Sequence, residues 1–167
     1  MARILIVGCG CRGRALAAEL RSRGHAVRGT TRDPGNLDAI AACGAEPVLA
    51  DPDRVGTIVP ALAGVAVLCV LLGSATGPME QLRSLHGDRL EMLVHRSIDT
   101  TVRAIVYEAT GTVAQPILAA GAALVGTGCD FSRIPYRLLE HEAAPPFEPW
   151  VTETAQTVEH LLGREPA

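Results

Sequence analysis

Gly8, Gly10 and Gly13 stand at G-x-G-x-x-G spacing near the start of the chain, and that spacing implies a specific chemistry, the holding of a pyrophosphate. Gly8 permits a tight strand-to-helix turn. Gly10 lets phosphate oxygens approach bare backbone, and Gly13 lets the helix pack closely on the preceding strand. The free N–H groups and positive dipole end of that helix then face the phosphates. Cys9 and Cys11 alternate with the glycines and read as small fillers of the turn, with Cys11 and Arg12 at its lip. The rival reading is a glycine turn with no ligand.

The remaining candidates concern which dinucleotide such a turn would hold. In an NAD site, a carboxylate at the tip of the second strand grips the ribose hydroxyls. This chain places Thr30 and Thr31 there, followed by Arg32. A guanidinium with no strand-tip acid suits a 2′-phosphate, which it can pair with bidentately, so NADP is expected ahead of NAD. Arg12 could lean on the same phosphate, and Asp33, swinging in as the ribose acid, would make the site an NAD site. Asp51 could accept from an adenine amine or could cap a helix-starting turn. Leu72, Gly73 and Ser74 end the fourth strand, where backbone must pass close to a ribose and nicotinamide.

Other polar residues at strand ends are few: Glu108, Thr110 and the trio Glu140-His141-Glu142. His141 beside carboxylates could act as an acid or base, or the trio could be a solvated turn. Tyr107 and Tyr136 lie in strands and read as core. His86, His95 and His160 fall at helical polar positions and need no function, and His25 belongs to a helix-to-strand turn.

Composition bounds the rest. The chain has 167 residues, 48% hydrophobic and 20% charged, which suits one globular domain spanning 1–167. A net charge of −3 offers no basic field for nucleic acid. No stretch reaches the roughly 18 apolar residues of a membrane span. The N-terminus enters the first strand at once, leaving no room for a signal peptide. Five scattered cysteines read as reduced thiols of a cytoplasmic protein and not as a metal site. All 15 basic residues are arginine, so every mechanism that needs a lysine ammonium is excluded.

The elements that must position these residues alternate. Ile4–Val7 is a strand buried on both faces, and a small-residue helix follows it, ending before Gly24. Ala26–Thr31 is the second strand, with Pro34-Gly35 as turn chemistry and Asn36 as N-cap of a helix closed by Gly44. Glu46–Ala50 is the third strand, and Arg54–Leu62 a helix despite Gly56 and Pro60. Val65–Leu72 is the fourth strand, followed by the loop Gly73–Pro78. Leu82–Val102 carries a helix in which Asp88 is a candidate cap. Ala104–Tyr107 is the fifth strand. Val113–Val125 is a helix with Pro116 in its first turn, stopped by Gly126-Thr-Gly128. Ile134–Leu139 is the sixth strand, and Trp150–Leu162 the last helix, with Trp150, Val151, Val158 and Leu161 as its packing face. Alternation of this kind predicts an α/β Rossmann fold: one doubly wound parallel sheet of about six strands in the order 3-2-1-4-5-6, with right-handed crossovers.

With these elements in place, the chain resembles the atypical and extended short-chain dehydrogenase/reductases, the epimerase-like branch of Rossmann proteins. The carriers are Val7-Gly-Cys-Gly-Cys-Arg-Gly13, Gly29-Thr-Thr-Arg32, Asp51, Ala63–Leu68 and Val106-Tyr-Glu-Ala-Thr-Gly-Thr-Val113. The resemblance covers roughly residues 1–140 and implies the Rossmann fold and a dinucleotide pocket. It departs where the chemistry of that family begins. Ala109 and Thr110 occupy the serine region, Ala114 the tyrosine position, and Leu118, four residues on, the lysine position. The C-terminal substrate-binding extension of that branch is also missing.

Three functions remain open: an NADP(H)-binding protein without the usual Tyr/Lys pair; a small NAD(P)-dependent oxidoreductase or epimerase-like enzyme with a replaced acid; and an NAD-sensing regulatory subunit. The first third of the chain also looks like potassium-channel regulatory domains, which carry an acid where Thr31 stands. A homodimer through the Leu82–Val102 and Val113–Val125 helices is compatible with each.

Overall fold

The computed structural model describes residues 1–163. Its centre is one six-stranded sheet in the order β3-β2-β1-β4-β5-β6, with every neighbouring pair parallel. The strands are β1 (Arg3–Val7), β2 (Ala26–Thr31), β3 (Glu46–Leu49), β4 (Val67–Val70), β5 (Ala104–Glu108) and β6 (Tyr136–Leu139). β1, β4 and β5 form the middle, and Ile4–Val7, Val67–Val70 and Ala104–Glu108 are all buried. Their continuous apolar runs follow from helices covering both faces. The helices are α1 (Cys11–Ser22), α2 (Leu37–Ala42), α3 (Val55–Ile58), α4 (Met79–Leu85), α5 (Asp88–Ile98), α6 (Gln115–Ser132) and α7 (Glu148–Gly163).

Two cores result, one on each side of the sheet. Ile4, Ile6, Val67, Cys69 and Val106 pack with Leu16, Leu20, Trp150, Val151, Val158 and Leu161 of α1 and α7. Leu5, Val7, Leu68, Val70, Ile105 and Tyr107 pack with Leu90, Leu93, Val94, Val125 and Cys129 of α5 and α6. Alternation along each strand therefore feeds both layers. α7 is also tied to the N-terminal half by Glu159, which accepts from Arg23 at 2.9 Å and pairs with His25 at 3.1 Å.

Several boundaries differ from expectation, each for a local reason. The helix expected over Leu82–Val102 is two helices, α4 and α5, which meet at a corner on Gly87. A Cβ there would lie 2.6 Å from the Arg83 carbonyl, so only glycine fits the corner. Gly87 caps α5, and Asp88 is its first helical residue rather than its cap. The α6 helix does not stop at Gly126 but runs on to Ser132, ending at Arg133 with φ 58°. Gly126 and Gly128 are close-approach positions, where added Cβ atoms would lie 3.1 Å from the Tyr136 hydroxyl and 2.9 Å from Val94 Cγ1. The helix expected over Arg54–Leu62 is the single turn of α3 continued by a 3-10 turn over Val59–Leu62, because Pro60 has no N–H to give an α-helical ladder. Asn36 precedes α2 but makes no side-chain cap. Asp33 instead caps the 3-10 turn Pro34–Asn36.

Candidate functional site

β1 sits where the strand order reverses, with β2 on one side and β4 on the other, so a crevice opens beyond the C-terminal ends of these strands. A cleft of about 600 Å³ lies there, lined by the Gly8–Gly13 turn, Thr30–Asp33, Leu72, Ser74, Glu108 and Thr110–Thr112 among others. The segment after β6 adds Glu142, Ala143, Pro145 and Phe147 to its wall.

The three glycines do three different jobs. Gly8 has φ +85°, and a Cβ on it would lie 2.5 Å from the Leu71 carbonyl. Gly13 is buried where α1 crosses β1, with the Gly8 carbonyl 3.1 Å and Ile6 Cγ2 3.3 Å from the position of a Cβ. Gly10 is the opposite case: it is exposed in the cleft, and a Cβ there would meet nothing within 4 Å. Its bareness serves no contact within the protein. Behind it, α1 begins without a side-chain cap and without an acid in its first turn. An acid or a capping oxygen would compete for the N–H groups that an anion needs. The turn therefore fits a pyrophosphate.

On the β2 side, Thr30 Oγ1 accepts from the Gly8 N–H at 3.3 Å, which joins the strand tip to the phosphate turn. Thr31 Oγ1 accepts from the Asp33 N–H at 3.1 Å, and the Asp33 carboxylate accepts from Gly35 N at 2.9 Å. Asp33 is thereby held in its own turn. Arg32 is exposed at the rim of the cleft. Asp51 lies outside the cleft wall, which takes in Ala50 and Pro52 instead. Its carboxylate accepts from Asp53 N at 2.9 Å and its carbonyl from Arg54 N at 2.8 Å, a local turn that precedes α3 without capping it, since the N-cap of α3 is Arg54.

Arg12 points away from Thr31 and Arg32. Its Nε donates to Glu108 Oε2 at 3.0 Å and its Nη2 to Oε1 at 2.6 Å, across to the end of β5. With β1 and β4 between β2 and β5, this is the side opposite the expected 2′-phosphate. Glu108 is 1% exposed, and Oε1 also accepts from Gly73 N at 2.7 Å. Burial pushes its carboxyl above the usual carboxylate range, against the opposing pull of Arg12 and the Gly73 N–H.

Leu72 lines the cleft, whereas Gly73 lies behind its wall. Gly73 and Gly111 are pressed together. A Cβ on Gly73 would collide with the Thr110 carbonyl and one on Gly111 with the Gly73 carbonyl. The loops after β4 and β5 thus close on each other, and Val113 N donates to the Gly73 carbonyl at 2.9 Å.

His86 departs most from its sequence reading. It follows α4, is 1% exposed, and bridges β4 to β5 from below the cleft. Nε2 lies 3.0 Å from the Leu72 carbonyl, which can only accept, so Nε2 carries the proton. Nδ1 of the neutral ring then accepts from the Tyr107 hydroxyl at 2.6 Å. Desolvation lowers the His86 pKa and keeps it neutral. No spacing in the sequence signals this pairing; only the β5 register and the corner at Gly87 bring it about. His141, by contrast, is exposed on Glu153 at 3.1 Å, outside the cleft. Among the trio after β6, Glu142 is the residue that lines the cleft.

No protein-family model matches the sequence, and no curated protein does. Solved structures do match in fold. A short-chain dehydrogenase/reductase superfamily protein from Agrobacterium tumefaciens with bound NAD has a TM-score of 0.68 at 18% identity, over 81% of this chain and 48% of that one. Vestitone reductase from alfalfa gives a TM-score of 0.71 at 12% identity, over 99% of this chain and 74% of that one. Citrobacter sp. triphenylmethane reductase complexed with NADP(H) gives 0.61 at 19% identity, over 81% and 48%. The chain spans about half the length of the first and third of these. At such identities the likeness is one of fold alone, a doubly wound parallel Rossmann sheet.

Proposed function

We propose that this chain binds a dinucleotide, NADP(H) in preference to NAD(H), in the cleft at the end of β1, without the Tyr/Lys chemistry of the proteins it resembles in fold. The observation that carries the reading is Gly10, a bare position over open cleft at the mouth of an uncapped helix. The Gly8–Gly13 turn, with Cys11, would hold the pyrophosphate, Thr31 and Arg32 the adenosine ribose and its phosphate, and Leu72 the nicotinamide side. The nicotinamide supplies hydride chemistry when bound.

What the protein's own residues offer beside it is limited. Ala114 is the N-cap of α6, and Leu118 is buried within it. Tyr107 is fully buried with its hydroxyl on His86, and Tyr136 packs at Gly126. Among the described residues, no tyrosine lines the cleft. Asp33 lines the cleft, but its Oδ1 is engaged by Gly35 N, and that engagement beside the exposed Arg32 supports NADP over an NAD-sensing role.

A second reading, an oxidoreductase with a replaced acid, is favoured by one observation: Glu108, Thr110 and Glu142 do line the cleft. Calorimetric titration with NADPH and with NADH, followed by a screen of carbonyl and alcohol substrates for cofactor turnover, tests both. Tighter binding of NADPH and negligible turnover are expected. Equal affinity for the two overturns the NADP assignment, no affinity for either overturns dinucleotide binding, and robust turnover selects the second reading.

A further inference from the structure

The Arg12–Glu108 pair joins the phosphate turn to the end of β5 across the floor of the cleft, and the reading just given leaves it without a role. Arg12 is the second residue of α1, directly on the turn that would hold a pyrophosphate. Its side chain is about one-fifth exposed, whereas that of Glu108 is almost wholly enclosed. The two groups are therefore unequal: Arg12 can turn into the cleft, and Glu108 has nowhere to go.

We propose that Arg12 exchanges Glu108 for the pyrophosphate of a bound dinucleotide, and that Glu108 takes up a proton as the pair opens. The proposal rests on the dinucleotide reading and adds to it a coupling between ligand and proton. A pyrophosphate within reach offers the guanidinium a doubly charged partner, to which Arg12 brings the same planar fork it now gives Glu108. The groups facing Glu108 are few. Arg12 comes from α1 and the Gly73 N–H from the loop after β4. Its neighbour Tyr107 is locked to His86, and neither is positively charged. With Arg12 gone, the carboxylate would keep one backbone N–H in a desolvated place. A buried carboxyl left so takes a proton rather than remain charged. The atoms balance simply: one proton moves from solvent to a Glu108 oxygen, and the positive charge of Arg12 passes to the pyrophosphate. A neutral carboxyl then stands on the cleft floor beside Thr110 as a hydrogen-bond donor.

Calorimetry tests this without any turnover. NADH, which carries no 2′-phosphate to titrate near neutrality, and NADPH are each titrated in two buffers of different ionisation enthalpy. Uptake of up to one proton per dinucleotide is expected, with affinity falling by as much as about tenfold per pH unit over the range in which uptake is complete. In Glu108→Gln and in Arg12→Gln the uptake should vanish, because the first has no carboxyl and the second holds it protonated beforehand. Binding without proton uptake in the unmutated protein overturns the exchange and leaves the dinucleotide reading standing. So does uptake that persists in a folded variant of either kind. No binding of NADH or NADPH overturns both together.

Discussion

Arg12 and Glu108 lie 96 residues apart and meet in a two-point ion pair, Nε to Oε2 at 3.0 Å and Nη2 to Oε1 at 2.6 Å, that ties α1 to β5. Pairs of this kind are retained less for net stability than because breaking one strands a buried charge. Removing the cation alone is therefore the informative change. Arg12→Ala should cost about 3–5 kcal/mol of folding stability at neutral pH. Burial raises the folded-state pKa of Glu108 above the unfolded value of about 4.3, so its contribution is fully present below that value and is lost as pH rises through the folded pKa. The deficit of Arg12→Ala should accordingly shrink in acid. Urea unfolding at about pH 4 and about pH 8 measures it; the same deficit at both would mean that Glu108 is not the group left unpaired.

Gly10→Val should leave the fold intact, because its Cβ would meet no protein atom within 4 Å. It should abolish dinucleotide binding by filling the space left for phosphate. Calorimetry on the folded variant checks this, and unchanged affinity for NADPH would remove Gly10 from the site.

Arg32 is exposed, with its nearest partner the Thr76 carbonyl at 3.5 Å, so it is free to meet a ligand. Hydrogen bonds to charged groups are worth about 1.5–3 kcal/mol, which is roughly ten- to hundredfold in affinity. Arg32→Ala should weaken NADPH by that factor and leave NADH nearly untouched. Arg12, paired with Glu108 in the free protein and given to the pyrophosphate in the proposed complex, should not compensate. Equal losses for both cofactors would show that Arg32 does not read the 2′-phosphate.

Tyr107→Phe should cost about 1–3 kcal/mol by leaving His86 Nδ1 buried without a donor. His86 has its pKa lowered by burial, so its contribution is present above the unfolded value of about 6.5 and is lost as pH falls through the folded one. Thermal unfolding from pH 7 downward should reveal that loss in the unmutated protein. A His86→Gln variant, which cannot titrate, should lack it; an identical slope in the variant would assign the loss to another group.

Gly121→Ala should destabilise α6 against β5, although alanine is the better helix former. The added Cβ would overlap the Tyr107 hydroxyl and lie 2.9 Å from Tyr107 Cζ. Overpacking of this kind typically costs about 1–3 kcal/mol. A melting temperature at or above that of the unmutated protein would show that the phenol can move aside.

The sequence by itself determined the strand order, the glycine turn after β1 and the absence of a lysine. Each is a local matter: runs such as Ile4–Val7, the spacing of Gly8, Gly10 and Gly13, and residue type are complete within a few positions, and right-handed crossovers leave few topologies for an alternating chain. Two side chains have partners that the sequence did not announce. The Asp51 carboxylate, readable as an adenine contact or as a capping turn, accepts from the N–H of Asp53. Arg12, expected to lean on a 2′-phosphate, is paired with Glu108 at the end of β5. Other features carried no local signal. Gly126 and Gly128 look like helix breakers in one dimension, but in three they admit Tyr136 and Val94. His86 falls at a helical polar position in the sequence. At the end of α4, before the corner at Gly87, it is buried where the Leu72 carbonyl and Tyr107 hydroxyl satisfy both ring nitrogens. Such partners lie 14 and 21 residues away in sequence, and only the register of β4 and β5 sets their distance.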